Sequence, residues 1–160
     1  MKILGIDPGT GRLGWAIIDH TKGVTTFVEC GCFETAKNSE LEDRLEKIYL
    51  FFQELITIHK PDELSVESLF FTNNAKTAFD VGAARGVILL CGKLAHMPIA
   101  QYTPTQVKSS LTGYGKADKT QIQFMITRIL KLKEVPKPDD AADAVAIALT
   151  HTFHKKTSRM

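Results

Sequence analysis

Four acidic side chains occupy positions from which a folded chain could bring them together. Asp7 ends an apolar run and is followed by a Pro-Gly turn, and Glu67 ends a second short apolar run. Asp140 and Asp143 begin an alanine-rich segment near the end of the chain. Acids at strand ends project from the sheet edge where open α/β folds place their sites. These four carboxylates are the candidate site, although a strand-end acid alone is equally typical of a loop cap.

The chemistry indicated by such a set is metal-dependent hydrolysis. Four ionised carboxylates held together repel one another, and the neighbouring sequence offers no fixed positive partner. Oxygen ligands of this kind favour Mg²⁺ or Mn²⁺ over Zn²⁺. Two such ions ~4 Å apart activate a water and stabilise the leaving oxygen in phosphodiester hydrolysis. No zinc-binding motif and no serine or cysteine nucleophile motif stands out.

The helical phase separates Asp140 from its neighbour Asp139. Asp140 and Asp143 are three residues apart, so both fall on one face of a helix. Asp139 points about 100° away and is expected to cap the helix. Acids in a first helical turn also suit the helix dipole without any site. The alanine-rich residues that follow predict a mostly buried helix, in which an inward aspartate needs a partner or a cation.

The elements that must position these acids alternate in the manner of an α/β protein. Three strands joined by short loops predict an antiparallel meander. Ser39 and Glu42 predict a capping box at the start of the first helix, which Pro61 ends. The predicted order is β-β-β-α-β-α-β-α-α-α. Its strands are Lys2–Asp7, Leu13–Asp19, Val24–Glu34, Glu63–Glu67 and Ile99–Thr103, and its helices are 39–60, Asn74–His96, a short one from 103, Lys119–Leu132 and 139–154.

Length and composition predict one globular domain, residues 1–154, with a basic tail at 155–160. The chain has 160 residues, of which 44% are hydrophobic and 24% charged. No apolar stretch reaches the ~18 residues of a membrane span, and the amino terminus has no signal-peptide core. The three cysteines are expected to be reduced thiols of a cytosolic protein.

Charge is unevenly distributed although the net charge is only +2. Residues 105–133 carry six cations and one acid, whereas residues 134–143 carry four acids and one cation. A basic stretch followed by an acidic cluster suits a polyanion held beside a cation site, and it also suits a solvated helix face.

Three motifs make the chain resemble the RuvC family of Holliday-junction resolvases. They are Ile6-Asp7-Pro8-Gly9-Thr10-Gly11-Arg12-Leu13-Gly14-Trp15, Val66-Glu67-Ser68-Leu69-Phe70 and Asp140-Ala141-Ala142-Asp143-Ala144. The resemblance runs from Met1 to about His154, and Gly82–Gly86, Pro104–Lys108 and Gly115–Gln121 fit it too. It implies a ribonuclease-H-like fold: a five-stranded mixed sheet, three strands antiparallel and two parallel, flanked by helices.

The resemblance also implies a function, that of an endonuclease resolving four-way DNA junctions in recombination and repair by paired, symmetric cuts. Two Mg²⁺ ions per site, with Mn²⁺ able to substitute, would be bound by the four acids. Phe70 would stack at the junction centre. Lys108 and Lys119 would contact DNA near the scissile phosphate, with Lys119 also catalytic, and the basic segment adds Lys116. Implied partners are the junction, a second copy of the chain and the RuvA–RuvB branch-migration complex, in the bacterial cytoplasm.

The helix predicted at 74–96 is the candidate dimer interface, because two symmetric cuts require two active sites. Small residues there would let two helices approach closely, with apolar neighbours adding contact. The alternative is that the glycines pack on the chain's own sheet. The residues concerned are Gly82, Ala83 and Gly86, with Val81, Ile88, Leu89 and Leu90.

Three other functions fit parts of the sequence. An actin-like ATPase or sugar kinase also places Gly-Thr-Gly after a strand-end Asp, but it needs a chain at least twice as long. A catalytically inactive DNA-binding module would not need the complete acid set. A resolvase-like RNA-processing nuclease would share the fold, and Phe70 with the segment from Lys108 to Lys119 favours the junction enzyme.

Overall fold

A five-stranded sheet organises the computed structural model, which describes residues 1–68 and 75–157. In these residues five strands and five helices follow one another in the predicted order. The strands are β1 (Lys2–Asp7), β2 (Arg12–Thr21), β3 (Val24–Glu34), β4 (Glu63–Glu67) and β5 (Ile99–Tyr102). The helices are α1 (Leu41–His59), α2 (Ala75–Leu94), α3 (Pro104–Thr112), α4 (Lys119–Leu130) and α5 (Asp139–Thr157).

The strand order in the sheet is β3-β2-β1-β4-β5. β1 pairs antiparallel with β2, and β2 with β3, as short connections require. β4 joins the other side of β1 in parallel, and β5 joins β4 in parallel. This arrangement confirms the mixed sheet of three antiparallel and two parallel strands.

Helices cover both faces of the sheet and create two apolar cores. One core contains Ile48 and Phe52 of α1 together with Ile88 of α2. The other contains Val107 of α3, Ile126 of α4 and the alanine-rich face of α5. Every residue from Ala141 to Leu149 except Asp143 is buried, which confirms the prediction that this helix lies inside the protein.

Two glycines allow α5 to lie directly on the sheet. A Cβ placed on Gly5 of β1 would overlap the carbonyl oxygen of Ala144 and come within 2.7 Å of the Ala148 Cβ atom. A Cβ placed on Gly14 of β2 would overlap the carbonyl oxygen of Asp140. The helix therefore approaches the strands as closely as backbone allows, and its first turn lies over the end of β1.

Polar contacts anchor the other end of α5 to the start of β4. The Ser65 hydroxyl donates to the carbonyl oxygen of Ile147 at 2.9 Å. His151 contacts the Glu63 carboxylate through Nε2 and the Tyr102 hydroxyl, 2.8 Å away, through Nδ1. Lys155 also pairs with Glu63. Helix α5 thus continues past the predicted end at 154, and Lys155, which the sequence placed in a basic tail, is helical.

The predicted capping box at the start of α1 was wrong. Glu40, not Ser39, is the N-cap residue, and no side-chain hydrogen bond caps this helix. The amide of Ser39 instead donates to the carbonyl oxygen of Ala36 at 3.2 Å, which commits Ser39 to the preceding turn. Among the residues described, no helix is long and apolar enough to cross a membrane.

Candidate active site

Asp7 and Glu67 lie side by side at the ends of two neighbouring parallel strands. Ile6 of β1 is in register with Val66 of β4, so the residues that follow them are adjacent and share one face of the sheet. Both acids line a cleft of about 220 Å³. Asp143 of α5, Lys108 of α3 and Lys119 of α4 line the same cleft. The sheet edge and three helix segments therefore converge on one place.

Burial and mutual repulsion make protonation of these two acids unusually favourable. Burial raises the pKa of Asp7 to about 8, with further increases from the charges of Glu67, Asp143 and Asp140. Burial likewise raises the pKa of Glu67 to about 7, with a contribution from Asp143, while Lys108 opposes the shift. The cleft thus holds an excess of negative charge that the nearby lysines only partly offset.

Lys119 bridges two acids of α5 from the first turn of α4. Its Nζ atom lies 3.3 Å from Asp143 Oδ2 and 3.2 Å from Asp139 Oδ2. The pKa of Asp143 is nevertheless raised, because burial outweighs the effect of Lys119. Asp139 is 69% exposed, whereas the charge of Asp140 is among the main causes of the raised pKa of Asp7. The choice of Asp140 over Asp139 stays a prediction.

The Arg12 side chain, which the sequence analysis did not single out, forms an ion pair with Asp140. The Arg12 Nε atom donates to Asp140 Oδ2 at 2.8 Å, and Nη1 lies 3.2 Å from Glu34 Oε1. Arg12 and Lys119 thus give the two acids of α5 positive partners that the sequence next to those acids did not offer. Arg12 follows the Pro-Gly turn, but its partner is 128 residues away, so no local pattern signals the pair.

The backbone of Glu67 is also contacted by Arg85, a residue that was not predicted to support the site. The Nε atom of Arg85 in α2 donates to the backbone carbonyl oxygen of Glu67 at 3.3 Å. Arg85 lies within the Gly82–Gly86 segment that the resemblance includes, so that segment was its only signal. The contact fixes the end of β4 against α2.

The acids offer only oxygen donors, which fits hard divalent cations. In this structure, however, the four acids do not form one cluster. Within residues 1–68 and 75–157, no three acidic, histidine or cysteine side chains form a ready-made metal site. Asp140 and Asp143 point toward Arg12 and Lys119 instead. Asp7 and Glu67, whose charges are the most costly, face the cleft and would gain most from a cation.

The predicted DNA-binding residues fall in three different situations. Lys108 and Lys119 line the cleft beside the acids. Lys116 is exposed in the loop between α3 and α4 and does not line the cleft. Phe70, with its neighbour Phe71, lies outside the described residues. The roles of all four predicted residues stay predictions.

Comparison with known proteins gives consistent matches over almost the whole chain. The family model for crossover junction endodeoxyribonuclease RuvC matches residues 3–151. The protein of that name from Brevibacillus brevis is 50% identical over 151 residues, covering 94% of this chain and 91% of the relative. The one from Desulforamulus reducens is 48% identical, with coverage of 98% and 96%. The structure of Thermus thermophilus RuvC in complex with Holliday junction substrate superposes with a TM-score of 0.93 at 33% identity, covering 99% of this chain and 96% of that one.

Proposed function

We propose that this chain, which belongs to the crossover junction endodeoxyribonuclease RuvC family, cuts four-way DNA junctions by metal-dependent hydrolysis of phosphodiesters. The observation that carries the proposal is the cleft in which Asp7, Glu67 and Asp143 meet Lys108 and Lys119. Acids that favour cations lie there beside lysines that favour phosphate. The Thermus thermophilus relative was solved with a Holliday junction, which supports the same substrate class for this chain.

Asp7, Glu67, Asp140 and Asp143 are the residues that would hold Mg²⁺, two ions per site, with Mn²⁺ as a substitute. Bound divalent cations activate a water and stabilise the charge of the leaving oxygen in phosphodiester hydrolysis. Asp7 and Glu67 would supply the ligands fixed by the sheet. Asp140 and Asp143, which now contact Arg12 and Lys119, would supply ligands from α5.

The lysines have separate tasks in this proposal. Lys108 lies near Glu67, where its charge opposes the raised pKa of that acid. It is placed to bind a phosphate that approaches the acids. Lys119, when released from Asp143, presents its ammonium group toward the charge that develops on the scissile phosphate. Phe70 would hold unpaired bases by stacking, and Lys116 would contact the backbone of the DNA.

The test is a cleavage assay on a synthetic four-way junction, a plain duplex and RNA, each with and without Mg²⁺. We expect paired cuts in the junction only, and only with Mg²⁺ or Mn²⁺. The Asp7→Asn and Glu67→Gln variants should bind the junction but not cut it, since removing negative charge cannot weaken attraction to phosphate. Preferred cleavage of RNA would replace this function with the RNA-processing alternative.

We further propose a homodimer formed through α2. On its outward face, Phe79 is 77% exposed and Leu90 and Leu94 are similarly open. A Cβ on Gly86 would meet no atom within 4 Å, so this glycine does not pack on the chain's own sheet. Ile88, by contrast, is buried in the chain's own core and is removed from the predicted interface.

Sedimentation of wild type and Gly86→Leu tests the dimer. Because the space over Gly86 is open, the variant should fold normally and dissociate into monomers. A well-folded variant that stays dimeric would exclude this helix face. Association with the RuvA–RuvB complex and action in the bacterial cytoplasm are further expectations, and co-purification with RuvA and RuvB tests the first.

A further inference from the structure

Helix α4 presents an aromatic and basic face that the catalytic cleft does not use. Phe124 and Arg128 are exposed one helical turn apart on one side, and the exposed Lys131 caps the carboxyl end of the helix. The opposite side, with Ile122 and Ile126, is buried in the core, so the direction of the exposed face is fixed. The Phe124 side chain is 55% exposed, so its ring is accessible to a partner on this face.

Shallow grooves flank this face at both ends. The groove at the beginning of α4 is lined by Thr112, Tyr114, Thr120, Gln121, Phe124 and Met125. The groove at its end is lined by Thr127, Arg128, Lys131, Leu132, Lys133, Glu134 and Val135, so it holds three cations and one acid. The Arg128 guanidinium lies 5.2 Å from the centre of the Phe124 ring, and this cation–π contact restrains the guanidinium.

We propose that Tyr114, Phe124, Arg128, Lys131 and Lys133, here called the α4 strip, bind the duplex arm of DNA that leads away from the cleavage site. This inference rests on the proposed function for its substrate class. Positive charge beside exposed aromatic rings fits a phosphate backbone with its sugars, which together receive most protein–DNA hydrogen bonds. An excess of cations over acids in the end groove favours this occupant over an uncharged protein surface.

The spacing from the cleft gives the contact a defined position on the DNA. Lys119 is the first residue of α4 and lines the catalytic cleft. At a rise of 1.5 Å per residue, Arg128 and Lys131 lie roughly 14 to 18 Å farther along the helix axis. Phosphates of one strand are spaced about 3.4 Å along a duplex axis, so an arm running along α4 would bring those roughly four or five positions from the cut to the strip.

The test compares two charge-neutralising double variants of equal net charge. Arg128→Gln with Lys131→Gln removes two cations from the strip, and Lys37→Gln with Lys47→Gln removes two exposed cations beside and on α1, across the sheet. All four positions are exposed, so both proteins should fold. Binding of a junction and of a plain duplex is measured against salt concentration, together with wild-type junction cleavage.

We expect the strip variant to lower the salt slope of binding by about 2, since each lost phosphate contact contributes roughly 0.9. If affinities converge at 1 M salt, that slope predicts a loss of roughly 60-fold at 0.1 M. Single methylphosphonates placed four or five positions from the cut should weaken wild type but not the variant. The control variant should bind as wild type does.

Either of two results would overturn the α4 strip: wild-type affinity and slope in the variant, or equal methylphosphonate sensitivity in both proteins. A failure of the proposed nuclease function would give a different result from a failure of the α4 strip. A wild-type protein that binds DNA through the strip but never cuts a junction would support the strip and refute the nuclease.

Discussion

Replacing Asp7 by asparagine should stabilise the metal-free protein, although most substitutions at a partly buried site destabilise. The pKa of Asp7 rises from 3.8 to about 8 through burial and the charges of neighbouring acids. The folded state therefore binds this proton more tightly than the unfolded state, and stability falls as pH rises from about 4 to about 8. At about 1.4 kcal/mol per pKa unit, the ionised carboxylate costs of the order of 5 kcal/mol at pH 8. Asparagine keeps the shape without that charge.

Urea unfolding in EDTA at pH 5 and pH 8 measures this effect. The advantage of Asp7→Asn in free energy of unfolding should be about 1–2 kcal/mol at pH 5 and reach about 5 kcal/mol at pH 8. Asp43→Asn is the control, because Asp43 is exposed in the first turn of α1, where its charge suits the helix dipole. Its loss should destabilise by about 0.3–1 kcal/mol, with little change between the two pH values.

Addition of Mg²⁺ should narrow the stability difference between the two proteins at pH 8. Binding to the folded state adds about 2.7 kcal/mol at a concentration of 100 Kd, and Asp7→Asn should lose most of that gain. The reasoning would be refuted by an Asp7→Asn protein less stable than wild type at pH 8 in EDTA, or by a difference that does not grow with pH.

Three further perturbations test other parts of the site. Gly5→Ala should destabilise by about 1–3 kcal/mol, seen in urea unfolding, because its Cβ overlaps α5. Lys119→Ala should lower the single-turnover cleavage rate more than junction affinity, whereas equal losses would leave it a plain backbone contact. Asp140→Asn should abolish cleavage while Asp139→Asn keeps most of it, and the reverse pattern would contradict the helical phase assigned to this pair.

The position of the acids could be predicted because each is marked by its own local sequence. Asp7 and Glu67 follow apolar runs whose residues form adjacent strands, and the alanine-rich run after Asp140 forms the buried helix α5. Hydrophobic patterning alone therefore placed both strand ends and the helix that faces them. The mixed sheet followed from connection lengths and from the resemblance.

The contacts that neutralise or support the acids could not be predicted, since they join residues far apart in the chain. Arg12 reaches Asp140 across 128 positions, and Arg85 reaches Glu67 from another helix. Helix caps were also mispredicted where one residue could make either of two local hydrogen bonds. The capping pattern at Ser39 failed because the preceding turn uses that residue, while Asp118 forms a capping box with Gln121 that was not predicted. Side-chain spacing cannot show which of two local hydrogen bonds prevails.

Because α5 is anchored at both ends, related sequences should tolerate few insertions or deletions within this helix. Its first turn is seated on Gly14, and its later turns are tied to β4 through Ser65 and through Glu63. One residue inserted between these anchors would turn the two halves by 100° and separate them by 1.5 Å, so either the acids or the polar anchors would lose their places. Length variation in this region should therefore collect in residues 131–138, between α4 and α5, and be absent between Ala144 and Ile147.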